Sequence, residues 1–512
     1  MGDVKTVFIN GEEYPFKPGQ TVIQVAHENG IEVPHYCYHP GLSIAGNCRI
    51  CMVEVEGDAK PQVSCKLQCA PPPWVSEPLR IQTESELAKS ARAGTMEMLL
   101  VNHPLDCPIC DQAGECHLQD YSYQLGQGEA SSTTAKTKLP KNVPFGSKVV
   151  YDAERCIKCT LCVRFCEEVT ETNELAMSGR SDHEIVTMTS KGEFDTGYSM
   201  NIIDICPVGA LTSRDFRFKS RLWFMDFANS IDTSSAKGVN IVTGGRNGTF
   251  MRIEPRFNAE VNEWWMSDEG RLSYKYVNSP TRLEAPRIKQ ADGTWVDATV
   301  DDAISAAAAV LAENGGDVLV DGGATLEEMT LAQDLAGAIG GKAKFAAATG
   351  EGDDWLITEE KGANAKGAEL LGLARASRAQ AAAVLIIERE EHVNASMREK
   401  ADASVVFALD SEHIPDSATV AFPLGSWAER EGILVNIDGL AQRMDRNPGI
   451  GPDNLPVLVE VLEEILMELD GDYAWRGIDG VRASIAALPA FSKVALPTGS
   501  IPSKGSAVGA DA

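Results

Sequence analysis

The run CIKCTLCVRFC, residues 156–166, puts four thiols in one short stretch. Cys156, Cys159 and Cys162 follow one another at two-residue spacing. That step suits a four-iron cubane better than zinc, because a tight loop wraps successive thiolates round the faces of one cube. Two residues could supply the fourth ligand. Cys166 continues the run after three residues, the pattern in which the fourth cysteine serves another cluster. Cys206 stands in IDICPVGAL, where the next residue, a proline, fixes a turn and removes a competing N–H. The second three-cysteine run of a symmetrical cluster pair is missing. Cys206 is therefore read as the ligand and Cys166 as a spare thiol.

Two further groups precede this one. Cys37, Cys48, Cys51 and Cys65 lie in HYCYHPGLSIAGNCRICMVEVEG and QVSCKLQC, with the pattern C-x10-C-x2-C-x13-C. Zinc favours two close cysteine pairs, and only Cys48 and Cys51 make one. A two-iron centre is the better reading, on a loop longer than that of plant-type ferredoxins. Cys69 is a second spare. His103, Cys107, Cys110 and Cys116 form H-x3-C-x2-C-x5-C. The residues alone leave Cys3His zinc and a His-ligated cubane equally open. His117, directly after Cys116, is expected to point elsewhere.

The elements that must carry these groups are legible nearby. KTVFINGEEYPF reads as strand, Asn-Gly turn, strand. TVIQVAHENGI reads as a short helix closed by glycine, and MVEVEG as a strand. SELAKSARAGTMEMLLVNH reads as a helix that delivers His103 at its end. All thirteen cysteines stand at or before Cys206, so thiol chemistry is confined to the first part of the 512-residue chain. The start MGDVKTVFINGEEYPFKPG has no export signal, so disulfides are not expected. The net charge of −28 argues against nucleic acid, which needs clustered Lys and Arg. No apolar run reaches the ~18 residues of a membrane span.

Taken in order, the three blocks resemble the large iron–sulfur subunit (75-kDa or G-type) of the proton-pumping NADH:quinone oxidoreductase, respiratory complex I. The segment TSRDFRFKSRLWFMDFANSIDTSSAKGVNIVTGGRNGTFMRIEPRFNAEVNEWWMSDEGRLSY is similar to the small leading domain shared with molybdopterin oxidoreductases. The resemblance covers residues 1 to about 280. It implies that His103 is a true ligand of a four-iron cluster, and it supports Cys206 over Cys166. It also implies one 2Fe-2S cluster on Cys37, Cys48, Cys51 and Cys65. Two 4Fe-4S clusters would follow, on His103, Cys107, Cys110 and Cys116, and on Cys156, Cys159, Cys162 and Cys206. The implied function is electron relay from a flavin/NADH-binding subunit towards quinone, beside other peripheral-arm subunits. The implied place is the cytoplasmic face of a bacterial membrane, with the matrix side of the mitochondrial inner membrane as alternative. The other reading is the diaphorase-arm subunit of an NAD-reducing hydrogenase.

Beyond Tyr276 the chain alternates helices and apolar strands, which implies an α/β layer with a mostly parallel sheet. DVLVDGGATLEE has a strand–Gly-Gly–helix step but neither a dinucleotide fingerprint nor a Walker lysine. TGGRNG, residues 243–248, reads as a hairpin turn. EREGILVNIDGLAQRM, residues 429–444, resembles the late motif of molybdopterin-type domains, yet no cysteine there could hold molybdenum. The expected fold is thus α+β iron–sulfur domains followed by a reduced, cofactor-free α/β domain of molybdopterin-oxidoreductase type. The expected boundaries are 1–80, 81–145, 146–216, 217–280 and 281–488, with an unpacked tail at 489–512.

Overall fold

The computed structural model describes residues 5–70, 78–189, 194–376 and 381–497. They form two compact units, the first ending at Phe224 and the second beginning at Met225.

In the first unit, Asn10 and Gly11 both adopt left-handed backbone, the requirement of a two-residue hairpin turn. They join β1 (Thr6–Ile9) to β2 (Glu12–Pro15). Helix α1 (Val22–Glu28) opens with a capping box between Thr21 and Gln24. It buries Val22, Ile23, Val25 and Ala26. Strands β3 (Met52–Val55), β4 (Gln62–Val63) and β5 (Arg80–Gln82) complete a five-stranded sheet in the order β2-β1-β5-β3-β4. Alternate residues of TVFI and MVEV point inward, as a strand of period two dictates. The core so formed holds Val7, Ile9, Val53, Val55 and Ile81, with Cys51 and Cys65 at its edge.

Helix α2 (Glu86–Leu100) is capped by the Ser85 hydroxyl, which accepts from Ala88 N–H. It ends three residues before His103. Helix α3 (His117–Leu125) starts immediately after Cys116. Strands β6 (Val143–Phe145) and β7 (Val149–Tyr151) make a hairpin. Helix α4 (Leu161–Glu168) carries Cys162, and the hairpin of β8 (Leu175–Ser178) and β9 (Ile185–Met188) follows. Helix α5 (Asn201–Asp204) leads to Cys206, and β10 (Leu211–Ser213) pairs antiparallel with β7. This pairing brings the Cys206 turn back to the Cys156 loop across a separation no local pattern announces.

The second unit begins with a three-stranded antiparallel sheet, Asp226–Ile231, Asn240–Arg246 and Thr249–Pro255. The turn expected at TGGRNG is narrower: Thr243–Arg246 belong to the second strand, and Asn247 and Gly248, both left-handed, make the hairpin turn. An eight-stranded sheet follows. Read across, its strands are Trp295–Asp297, Arg287–Lys289, Val420–Pro423, Val405–Ala408, Val384–Ile387, Val318–Asp321, Ala343–Ala346 and Ala374–Arg375. The last six are parallel. Val318 and Val320 face a core shared with helices Val300–Asn314, Leu326–Ala338 and Leu458–Leu469, whereas Leu319 faces a second core with helix Ala395–Ala401. Burial on both faces explains the unbroken apolar strands. The expected unpacked tail is corrected at its start. Phe491 is buried, and Val494 and Leu496 pack on the same core. Three apolar side chains were diluted by the Ser, Gly and Pro around them. Residues 498–512 lie outside the described residues.

Candidate iron–sulfur sites

The first set converges. The Cys48 and Cys65 thiols hydrogen-bond Cys37 and hold its thiol well below the ordinary range, and Cys65 also bonds Cys51. All four are buried. The loop achieves this with Arg49 and Gly46 in left-handed backbone. The backbone N–H groups of Cys48 and Asn47 also point at Cys37 Sγ. Hydrogen bonds of this kind to sulfur tune an iron–sulfur centre. Cys69 is buried in the same apolar core as Cys51 and Cys65, and burial pushes its thiol up to about 12.

The third set converges too. Burial pushes the Cys159 and Cys162 thiols up, and both lie within electrostatic reach of Cys156 and Cys206. Lys158 and Thr160, either side of Cys159, are left-handed. That geometry turns the Lys158 N–H onto Cys156 Sγ at 3.4 Å. The Tyr151 hydroxyl also donates to Cys156. Cys206 receives the backbone N–H groups of Val208, Ala210 and Leu211, while burial pushes it up to about 12. Cys166 sits one helical turn beyond Cys162 and receives the Leu175 N–H, on the side of α4 that packs on β8.

The second set is the most open. Cys107 is exposed, whereas Cys110 and Cys116 are buried. Burial pushes Cys116 up to about 12, and Cys110 and Cys107 add to this. Cys110 and His103 share the Arg155 guanidinium as neighbour. Burial pushes the His103 imidazole down to about 4, with Lys136 and Arg155 adding to it. It is therefore neutral near pH 7, the form that can ligate a metal. Arg221 braces this loop by donating to the carbonyls of Cys110 and Pro108.

The three sets meet. Asn47, next to Cys48, donates to the carbonyl of Lys158, next to Cys159, at 3.2 Å. Gly209, three residues after Cys206, lies against Cys110 so closely that a Cβ there would overlap Sγ. The His117 N–H donates to the Pro207 carbonyl at 3.2 Å. The third set thus touches both others. Between the first and second stand two rings, Tyr36 and Tyr121, with centroids 5.4 Å apart. Sequence reasoning singled out none of Tyr36, Tyr151, Arg164 and Gly209. Arg164 left a trace: it is the one charged residue in LCVRFC, among neighbours that a helix buries together.

The donor sets fit iron–sulfur clusters. Each offers soft thiolates whose charge burial disfavours, so a cationic core is the missing stabiliser. Among the described residues, no three His, Cys, Asp or Glu side chains gather round a point as a single-ion site.

The Gly-Gly step of the second unit is different. Val318–Asp321 and Val384–Ile387 are neighbours from which the sheet runs out in opposite directions, so their ends make the switch-point crevice where α/β folds bind ligands. The chain's own side chains fill it. Asp321 accepts from Gly323 N–H at 2.7 Å, Arg389 N–H at 3.0 Å and His392 Nδ1–H at 2.7 Å. Arg430 grips Glu328 through both carboxylate oxygens and also Glu388. Glu388 accepts from Tyr276 Oη–H and Trp427 N–H. The amides that could cradle a phosphate are already satisfied.

Four family models match. Residues 4–77 match the 2Fe-2S iron–sulfur cluster binding domain. Residues 92–131 match the NADH-ubiquinone oxidoreductase-G iron–sulfur binding region. Residues 146–212 match the ferredoxin-like domain of NADH-quinone oxidoreductase subunit 3. Residues 226–275 match the NDSU1/NuoG-like 4Fe-4S domain, although this segment contains no cysteine. The chain is 43% identical over 310 residues to the mitochondrial NADH dehydrogenase [ubiquinone] iron–sulfur protein 1 of Solanum tuberosum, covering 60% of this chain and 41% of that protein. It is 42% identical over 300 residues to the G-type subunit of NADH-quinone oxidoreductase from Rickettsia bellii, covering 59% and 43%. The 75 kDa subunit of Reclinomonas americana is 45% identical over 286 residues, covering 56% and 40%. The chain thus spans about two-fifths of these relatives. A solved NAD+-reducing [NiFe]-hydrogenase is 31% identical with TM-score 0.38, covering 43% of this chain and 91% of that one. Among the described residues no helix is long and apolar enough to cross a membrane.

Proposed function

We propose that this chain, whose residues 4–77, 92–131, 146–212 and 226–275 match iron–sulfur family models and whose relatives include G-type (75-kDa) subunits of NADH:quinone oxidoreductase, is the electron-relay subunit of such an enzyme. Bound clusters would supply one-electron transfer. Cys37, Cys48, Cys51 and Cys65 would hold a 2Fe-2S cluster. His103, Cys107, Cys110 and Cys116 would hold one 4Fe-4S cluster, and Cys156, Cys159, Cys162 and Cys206 another. The observation that carries the relay is contact between the sets: Asn47 to Lys158, and Gly209 to Cys110. That contact order supports passage from the first set to the third and then to the second.

The rest of the reading concerns partners. A flavin/NADH-binding subunit would dock on the ferredoxin-like domain around Cys37–Cys65, since no dinucleotide fingerprint exists in this chain and a hydride must be split before single electrons can move. Attachment to the membrane would be peripheral, through other subunits, on the cytoplasmic face in a bacterium. The α/β unit would be a shortened molybdopterin-type scaffold without molybdenum. Its filled switch-point crevice and cysteine-free sequence support this. The test is anaerobic reconstitution, with iron and molybdenum analysis and NADH:ferricyanide activity with and without the flavin subunit. About ten irons per chain, no molybdenum and activity only with the partner are expected. Activity from the chain alone overturns the reading.

A further inference from the structure

Arg164 lies in α4, two residues after Cys162, and is buried. Its guanidinium reaches across to the first cysteine loop. Nη2 donates to the Cys37 carbonyl at 2.7 Å, Nη1 donates to the Ser43 carbonyl, and Nε donates to the Thr160 hydroxyl at 3.3 Å. Every one of these acceptors is neutral. Among the described residues no carboxylate pairs with it. Glu168, one turn on, is committed to Ser43, accepting from its N–H at 2.7 Å and from its hydroxyl.

A guanidinium cannot shed its proton to escape burial. A buried charge without a counter-charge costs several kcal/mol, so such a residue persists only where negative charge faces it. Elsewhere this protein supplies that charge from its own carboxylates. Arg430 has Glu328 and Glu388, and Arg155 has Asp106 and Asp152. The segments that Arg164 joins carry candidate thiolate ligands of two sets: Cys37, whose carbonyl it holds, and Cys162, two residues earlier in its own helix.

We infer that Arg164 is a positioning residue that clamps the first cysteine loop to the third and supplies the buried counter-charge for the centres held by both. This rests on the ligand sets proposed above. Four thiolates outweigh the positive core of a cluster, so each loaded centre is anionic and reduction adds one more negative charge. A nearby cation stabilises the reduced form more than the oxidised form, and so raises the reduction potential. Removing the charge should lower the potentials of both centres, the two-iron centre more, because Arg164 bonds the Cys37 backbone directly. The centre on His103, Cys107, Cys110 and Cys116 makes no bond to Arg164 and serves as internal reference.

The experiment is redox titration of the reconstituted full chain, followed by electron paramagnetic resonance, for wild type, Arg164→Gln and Arg164→Lys. In Arg164→Gln the ratio of reduced to oxidised two-iron centre at a fixed potential should fall about tenfold, or about 59 mV for one electron. Arg164→Lys keeps the charge but not the fork that bridges two carbonyls, and should recover most of the shift. Unchanged potentials in Arg164→Gln overturn the inference, as does a fall in Arg164→Lys equal to that in Arg164→Gln. If Arg164→Gln does not load, Arg164→Lys decides alone: a wild-type potential supports the charge role and a tenfold fall refutes it. Absence of the two-iron and four-iron signals from the wild type would instead refute the ligand sets themselves.

Discussion

Replacing Gly209 by alanine should disturb a centre whose ligands lie far away in sequence. Gly209 does not occupy left-handed backbone, so alanine is conformationally acceptable there. The difficulty is space. A Cβ at this position would breach the 3.0 Å that real Cβ atoms essentially never cross, against Cys110 Sγ, where ordinary contact begins at 3.4 Å. The sulfur must retreat by about 1 Å to restore a normal contact. Overpacking of this kind costs about 1–3 kcal/mol, which a large unit tolerates. A cluster ligand is less forgiving, because productive sites are held within about 0.5 Å. The second set should therefore lose its cluster while the protein stays folded, and iron should fall from about ten to about six per chain. Gly197→Ala is the control, with nothing within 4 Å of its Cβ. The assay is iron analysis with paramagnetic resonance of the reduced protein. The reasoning is refuted if Gly209→Ala keeps its full iron and an unchanged spectrum, or if the centre on Cys156 is lost instead.

Cys206→Ser should abolish the four-iron signal of Cys156, Cys159 and Cys162, and Cys166→Ser should leave it, as paramagnetic resonance of the two variants will show. The wild-type centre on Cys107, Cys110 and Cys116 should show nitrogen hyperfine coupling from His103, which His103→Ala removes while sparing the two-iron signal. In the second unit, burial pushes the Asp321 carboxyl up, but His392 and the surrounding N–H donors overcome this and hold it at about 2. Burial likewise lowers His392, and Asp321 outweighs it and raises it. The Asp321 contribution to stability is present above its unfolded value of 3.8 and lost as pH falls towards 2. The His392 contribution is complete below 6.5 and lost as pH rises through its raised folded value. Asp321→Asn should cost on the order of 3 kcal/mol at pH 5 and little at pH 2, read from the unfolding transition of the second unit.

The candidate ligand sets stood out because the proposed cluster loops are local. Cys156, Cys159 and Cys162 must turn within a few residues, and that demand is written as spacing. Strands such as VLVD and VLII were equally plain, since burial on both faces leaves no polar alternation. What the sequence concealed was everything carried by a single residue over a long separation. Gly209 differs from an ordinary turn glycine only because Cys110, from another loop, lies on it. Arg164 resembles a surface charge on a short helix until the Cys37 loop is seen to cover it. His103 stands between: its spacing left zinc and cubane equal, and the structure adds a buried imidazole near Arg155.

The same logic bears on the proposed cofactor-free scaffold. A switch-point crevice exposes backbone N–H groups at strand and helix ends, and in a binding fold the ligand satisfies them. If the ligand were simply lost, those donors would be buried without partners at about 1–3 kcal/mol each. In this chain Asp321 takes three of those donors, from Gly323, Glu388 and Arg389. The charge it brings is answered by His392, and the neighbouring Glu388 is answered by Arg430. Removal of Asp321 alone would reopen the donors while stranding His392, which is why its loss should cost more than that of a surface ion pair. A double variant, Asp321→Asn with His392→Gln, removes the stranded charge, so it should recover part of the lost stability at pH 5. If the double variant is no more stable than Asp321→Asn, the carboxylate serves chiefly to satisfy the amides, and the histidine is incidental.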